Sequence, residues 1–89
     1  MQNTKFNLNL MKKYKILITG GAGYIGSILA TELVRIGHLV TVVDLLKYSS
    51  SALNHLYACK NFQFVHADVQ NKKIMKNLIS KNDYIIPLA

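Results

Sequence analysis

Eighty-nine residues allow one domain at most, and a domain of that length buries only about 60–65% of the surface its unfolded chain exposes. At 51% apolar and 17% charged residues the composition is that of a globular chain, not of a disordered one. No apolar run reaches the ~18 residues of a membrane span, and the first thirteen residues, MQNTKFNLNLMKK, lack the apolar core of a signal peptide. One cysteine, Cys59, excludes an internal disulfide and has no Cys or His at metal-ligand spacing, so a cytoplasmic protein without a metal site is expected. The net charge of +7 raises nucleic acid as a partner. Its distribution argues against one, because Lys5, Lys12, Lys13 and Lys15 carry +4 with no acid among them, leaving +3 over residues 16–89. Lys72, Lys73 and Lys76 read as the solvated face of a helix.

The first ten residues add nothing to the pattern that follows. Residues 1–13 are read as an N-terminal extension, with Met11 as the expected native start. Lys15 to Thr19 (KILIT) is an apolar strand, and a helix from about Tyr24 to Ile36 follows, with Ile25, Ile28, Leu29, Leu33 and Ile36 at a 3.6-residue period. Gly37 ends that helix. Leu39 to Val43 (LVTVV) is the second strand, and a short helix is expected after Ser49-Ser50-Ser51, capped by a serine, with Leu53, Leu56 and Tyr57 turned inward. Phe62 to His66 (FQFVH) is the third strand. The third helix spans about Lys72 to Ser80, capped by Asn71, with Ile74, Met75, Leu78 and Ile79 on one side. Tyr84 to Leu88 (YIIPL) closes the series.

Alternating strands and helices indicate an α/β fold with a parallel sheet, whose near-continuously apolar strands are expected to be covered on both faces. Right-handed crossovers give the strand order 3-2-1-4, a partial doubly wound (Rossmann) arrangement. An apolar strand ending at Ala89 leaves a sheet edge open, so the chain is expected to be part of a longer protein.

Between the first strand and the first helix stands Gly20-x-x-Gly23-x-x-Gly26. Gly20 permits a tight turn, Gly23 leaves room for a pyrophosphate to approach the backbone, and Gly26 lets the helix pack closely on the sheet. The amides of the helix start, including those of Tyr24 and Ile25, then face the phosphates at the positive end of the helix dipole. A glycine pattern alone also suits ordinary strand-helix packing. Here it follows a strand, opens a helix and lies eighteen residues before Asp44, the acidic residue that closes the second strand. Asp44 can accept hydrogen bonds from both ribose hydroxyls and repel a 2′-phosphate, which favours NAD over NADP; the competing reading is a loop cap. The Gly-Lys-Ser/Thr ending of a P-loop is absent, which disfavours ATP or GTP hydrolysis. His38, His55 and His66 are scattered and read as surface or strand-end residues.

ILITGGAGYIGS (residues 16–27), VTVVD ending at Asp44, ADV (residues 67–69) and DYIIPLA (residues 83–89) resemble the extended short-chain dehydrogenase/reductase family, particularly its nucleotide-sugar epimerases and dehydratases. The resemblance covers residues 14–89 and implies that they are the N-terminal part of an NAD-binding domain. It further implies that Asp68 and Val69 hold the adenine edge, and that Leu88 and Ala89 lie along the ribose and pyrophosphate. For Asp68 the competing reading is that it only helps start the next helix. Pro87 stands where many members have histidine. The family's chemistry uses Tyr-x-x-x-Lys, and none of Tyr14, Tyr24, Tyr48, Tyr57 and Tyr84 has a lysine four residues on. The chain is therefore expected to bind NAD without turning over substrate. The resemblance implies a longer parent enzyme that binds a nucleotide sugar, passes hydride to NAD and dimerises. The alternative is a stand-alone or regulatory dinucleotide-binding module.

Overall fold

The computed structural model describes residues 12–20, 23–45 and 47–88. Four parallel strands, β1 (Lys15–Thr19), β2 (Leu39–Asp44), β3 (Phe62–His66) and β4 (Tyr84–Pro87), form one sheet in the order β3-β2-β1-β4. The register places Thr19 beside Val43 and Pro87, and Asp44 beside His66, so the carboxyl ends of all four strands lie along one edge.

Two helices and a 3₁₀ segment flank the sheet. Helix α1 (Tyr24–Arg35) and the 3₁₀ segment (Lys47–Leu56) cover one face, where Ile16, Ile18, Val40 and Val42 meet Ala30, Val34, Leu53 and Leu56. Helix α2 (Lys72–Ser80) lies on the other face, where Met75 and Leu78 pack on Leu17, Val43 and Ala67. The split follows from the two-residue period of a strand, which sends Leu17 one way and Ile16 and Ile18 the other.

The face that α1 buries is shifted from the one its large apolar residues predict: Leu29 and Leu33 pack against the core as expected, partly buried, but Ile25 and Ile28 do not. Gly26, Ser27, Ala30 and Val34 are buried, whereas Ile25 and Ile28 are 70% and 50% exposed. Small residues bring the helix backbone close to the sheet, and that row prevails over the bulkier one. The helix ends in a Schellman motif, with Gly37 at φ 103° donating to the Val34 carbonyl and His38 to that of Leu33. His38 is itself buried, and its ring Nδ1 accepts the Tyr14 N–H at 3.1 Å.

Three further expectations change. The second helix is a 3₁₀ segment that begins at Lys47, ahead of the serines, and Tyr57 lies outside it, 46% exposed and edge-on to Phe62. Leu53 and Leu56 do point inward, at 0% and 3% exposure. In α2 only Met75 and Leu78 reach the core, because a single helix crossing a sheet contacts it along one narrow stripe; Ile74 and Ile79 remain exposed. The strands are not all covered on both faces: β1 is, but the edge strand β4 leaves Tyr84 and Ile85 exposed.

Candidate functional site

The sequence places its polar and glycine-rich signals just after the strands, and the parallel sheet collects them at one edge. Backbone bonds stitch that edge together: Leu88 N–H donates to the Thr19 carbonyl at 2.8 Å, Gly20 N–H to Val43 at 2.8 Å, and Ala67 N–H to Asp44 at 3.1 Å. The residues after β1, β3 and β4 are thereby fixed against the neighbouring strand. Strand order reverses between β1 and β4, so the crevice outside their carboxyl ends is a topological switch point, where open α/β sheets bind ligands.

Gly20 leaves β1 at φ 75°, a left-handed conformation that a side chain would strain. Gly23 is the N-cap of α1, in extended conformation, with no side chain to satisfy the first amides. The Ser27 N–H bonds back to the Gly23 carbonyl at 2.9 Å. The amides of Tyr24, Ile25 and Gly26 precede it and have no carbonyl one turn back within the helix. The first turn carries no acidic residue. A Cβ built on Gly23 meets nothing within 4 Å, so it projects into open space. That space is a cleft of about 400 Å³ lined by Gly20, Gly23, Tyr24, Ile25, Gly26 and Leu88. Open space beside Gly23, facing unbonded backbone amides at the positive end of a helix, suits a phosphate or pyrophosphate.

Six of the ten residues singled out from sequence therefore line one cleft. Asp44 lies next along the edge, nearly buried at 9% exposure and one residue beyond the carbonyl that holds Gly20. Asp68 and Val69 follow β3, further from the glycine turn. The Asp68 carboxylate accepts the Gln70 N–H at 2.9 Å and its carbonyl accepts that of Asn71, closing a turn ahead of α2. Asn71 caps α2, its Oδ1 accepting the Ile74 N–H at 3.1 Å. Ala89 lies outside the described residues.

One contact at this edge has no counterpart in the sequence reading. His66 occupies the strand end, as expected, and its ring Nε2 lies 2.7 Å from the Leu45 carbonyl. The two residues are 21 apart, so no local pattern signals the bond. A second cleft, of about 380 Å³, lies at the opposite, amino ends of β1 to β3 and includes Lys15, Lys60 and Lys81 in its lining. Among the described residues no helix is long and apolar enough to cross a membrane, and no group of three or more His, Cys, Asp or Glu could hold a metal ion.

The model of the NAD dependent epimerase/dehydratase family matches residues 16–89. The chain belongs to that family. It is 42% identical over 79 residues to the UDP-N-acetyl-alpha-D-glucosaminuronate decarboxylase of Bacillus cytotoxicus, covering 89% of this chain and 24% of that enzyme. The UDP-Glc/GlcNAc 4-epimerase of Campylobacter jejuni superposes with a TM-score of 0.73 at 37% identity, over 84% of this chain and 24% of that one. A short chain dehydrogenase from Leptospira borgpetersenii with bound NAD+ does so at 0.62 and 28% identity, over 80% of this chain and 26% of that one. The chain thus spans about a quarter of the length of these family members.

Proposed function

We propose that this chain binds NAD(H) at the carboxyl edge of its sheet, as the N-terminal part of an NAD-dependent nucleotide-sugar epimerase or dehydratase. The observation that carries the reading is the pair Gly20 and Gly23 between β1 and α1, which line a cleft onto a helix start that has no side-chain cap, beside Asp44. The amides of Tyr24, Ile25 and Gly26 hold the pyrophosphate, and Asp44 accepts the adenosine ribose hydroxyls. Asp68 and Val69 border the adenine, and Leu88, which lines the cleft, lies along the ribose and pyrophosphate, as the resemblance implies also for Ala89. When bound, the nicotinamide supplies hydride exchange with a sugar carbon. These residues bind and orient, and Tyr-x-x-x-Lys is absent from the 89 residues, so the chain by itself is inactive.

Isothermal titration calorimetry of the 89-residue chain tests the proposal. Binding of NAD in preference to NADP is expected, and binding of neither overturns the reading. Continuing the reading frame past Ala89 tests the enzymatic part. A continuation without Tyr-x-x-x-Lys favours a dinucleotide-binding module without catalysis.

A further inference from the structure

The strand ladder between β2 and β3 ends at the pair Asp44 and His66. Beyond it, two carbonyls in succession are held from the β3 side: that of Asp44 by the Ala67 N–H at 3.1 Å, and that of Leu45 by the His66 ring at 2.7 Å. A carbonyl oxygen only accepts, so the ring nitrogen facing it carries the proton. The peptide planes on the carboxyl side of Asp44 and of Leu45 are thereby pinned to the neighbouring strand. Pinning the backbone at and just past Asp44 fixes where its Cα–Cβ bond points. Leu45 is 57% exposed, so core packing does little to hold Leu45 itself, although Asp44 before it is buried at 9% exposure.

We infer that His66 is a positioning residue for the Asp44 carboxylate: its Nε2–H, donated to the Leu45 carbonyl, holds the backbone past Asp44 and so sets the discrimination between NAD and NADP. The inference rests on the NAD-binding reading above. Hydrogen bonds to two ribose hydroxyls demand a carboxylate placed to within a few tenths of an ångström. Repulsion of a 2′-phosphate likewise weakens with every shift away from it. Loss of the histidine bond leaves Asp44 buried and its carbonyl held by Ala67 but frees the Leu45 carbonyl, so the carboxylate shifts slightly and selectivity falls before stability does.

The experiment measures NAD and NADP affinities by calorimetry, and melting temperature by circular dichroism, on the full 89-residue chain and on His66→Phe, His66→Gln and Asp44→Asn. His66→Phe keeps a ring and removes the donor. It is expected to lower the NAD-over-NADP preference about fivefold, the worth of one hydrogen bond. His66→Gln, which restores an N–H donor, recovers the preference, whereas a purely structural role would not separate the two nucleotides. Asp44→Asn abolishes the preference. If Asp44→Asn does so and His66→Phe leaves it unchanged, the inference is overturned and the Asp44 reading stands. If Asp44→Asn changes nothing, or the unmutated chain binds neither nucleotide, both are overturned. Nitrogen-15 NMR of the unmutated chain provides an arm that needs no variant to fold. A protonated Nε2 on His66 is expected, and a ring protonated only at Nδ1 overturns the inference.

Discussion

Replacing Gly23 by aspartate should move folding stability and cofactor affinity in opposite directions. The residue is the N-cap of α1 with φ −79° and ψ −175°, a conformation any residue adopts, and its Cβ would meet nothing within 4 Å. An aspartate there accepts the Ile25 or Gly26 amide, which improves on a glycine cap by a few tenths of a kcal/mol. Its charge at the helix start adds about 0.3–1 kcal/mol, and removing a glycine from the unfolded chain adds about 0.4–1 kcal/mol. The sum is roughly 1–2 kcal/mol, and at about 4–8 °C per kcal/mol for a domain of this size the midpoint rises by at least ~4 °C. The same amides are the donors proposed for the pyrophosphate. Losing one charge-assisted hydrogen bond costs about 1.5–3 kcal/mol, or roughly ten- to a hundredfold in NAD affinity, before repulsion is counted. Thermal melts followed by circular dichroism and calorimetric titration with NAD measure the two effects. A lower midpoint refutes the geometry of the cap. A raised midpoint with unchanged NAD affinity refutes the placement of the phosphates.

Three other outcomes follow from local geometry. Gly37→Ala should cost about 1–2 kcal/mol in urea unfolding, because its φ of 103° is left-handed while the new Cβ meets only Lys13 Cε, at an ordinary 3.5 Å. An unchanged midpoint would contradict the Schellman ending of α1. Asn71→Ala should cost about 1 kcal/mol through loss of the α2 cap, read in the same assay. The third concerns Glu32, whose carboxyl is held below its ordinary value of 4.5 by the hydrogen bond from Arg35 and then by its charge. A carboxyl lowered on folding stabilises above its unfolded value and loses that contribution as pH falls through its folded one. The melting-temperature gap between wild type and Glu32→Gln should therefore be small, largest near neutrality and absent in strong acid; a gap that widens in acid would reverse the sign.

What the sequence by itself determined is local. KILIT and FQFVH occupy the residues expected of them because three of the five side chains in each are β-branched or aromatic and suit a pleated strand wherever the chain goes. Gly20 and Gly37 are the two glycines at positive φ among the described residues, and both stood at predicted turns, since only the absent Cβ makes those angles accessible. The ordering of glycine turn, Asp44 and the residues after β3 and β4 was also legible, and a parallel sheet necessarily gathers strand ends of one polarity at one edge. Gly26 against the sheet and Leu29 and Leu33 on the core were legible too, but tertiary structure alone decided that Ile25 and Ile28 of α1 stay exposed. Periodicity favoured Ile25 and Ile28, but close approach to the sheet needs Gly26 and Ala30, and distance of approach is a property of two elements together. The same holds for Tyr57, turned out because the 3₁₀ segment ends at Leu56, and for the open β4 face, which a single crossing helix does not reach. The bond from His66 to Leu45 is the plainest case: it joins residues 21 apart, and it exists because β3 lies beside β2.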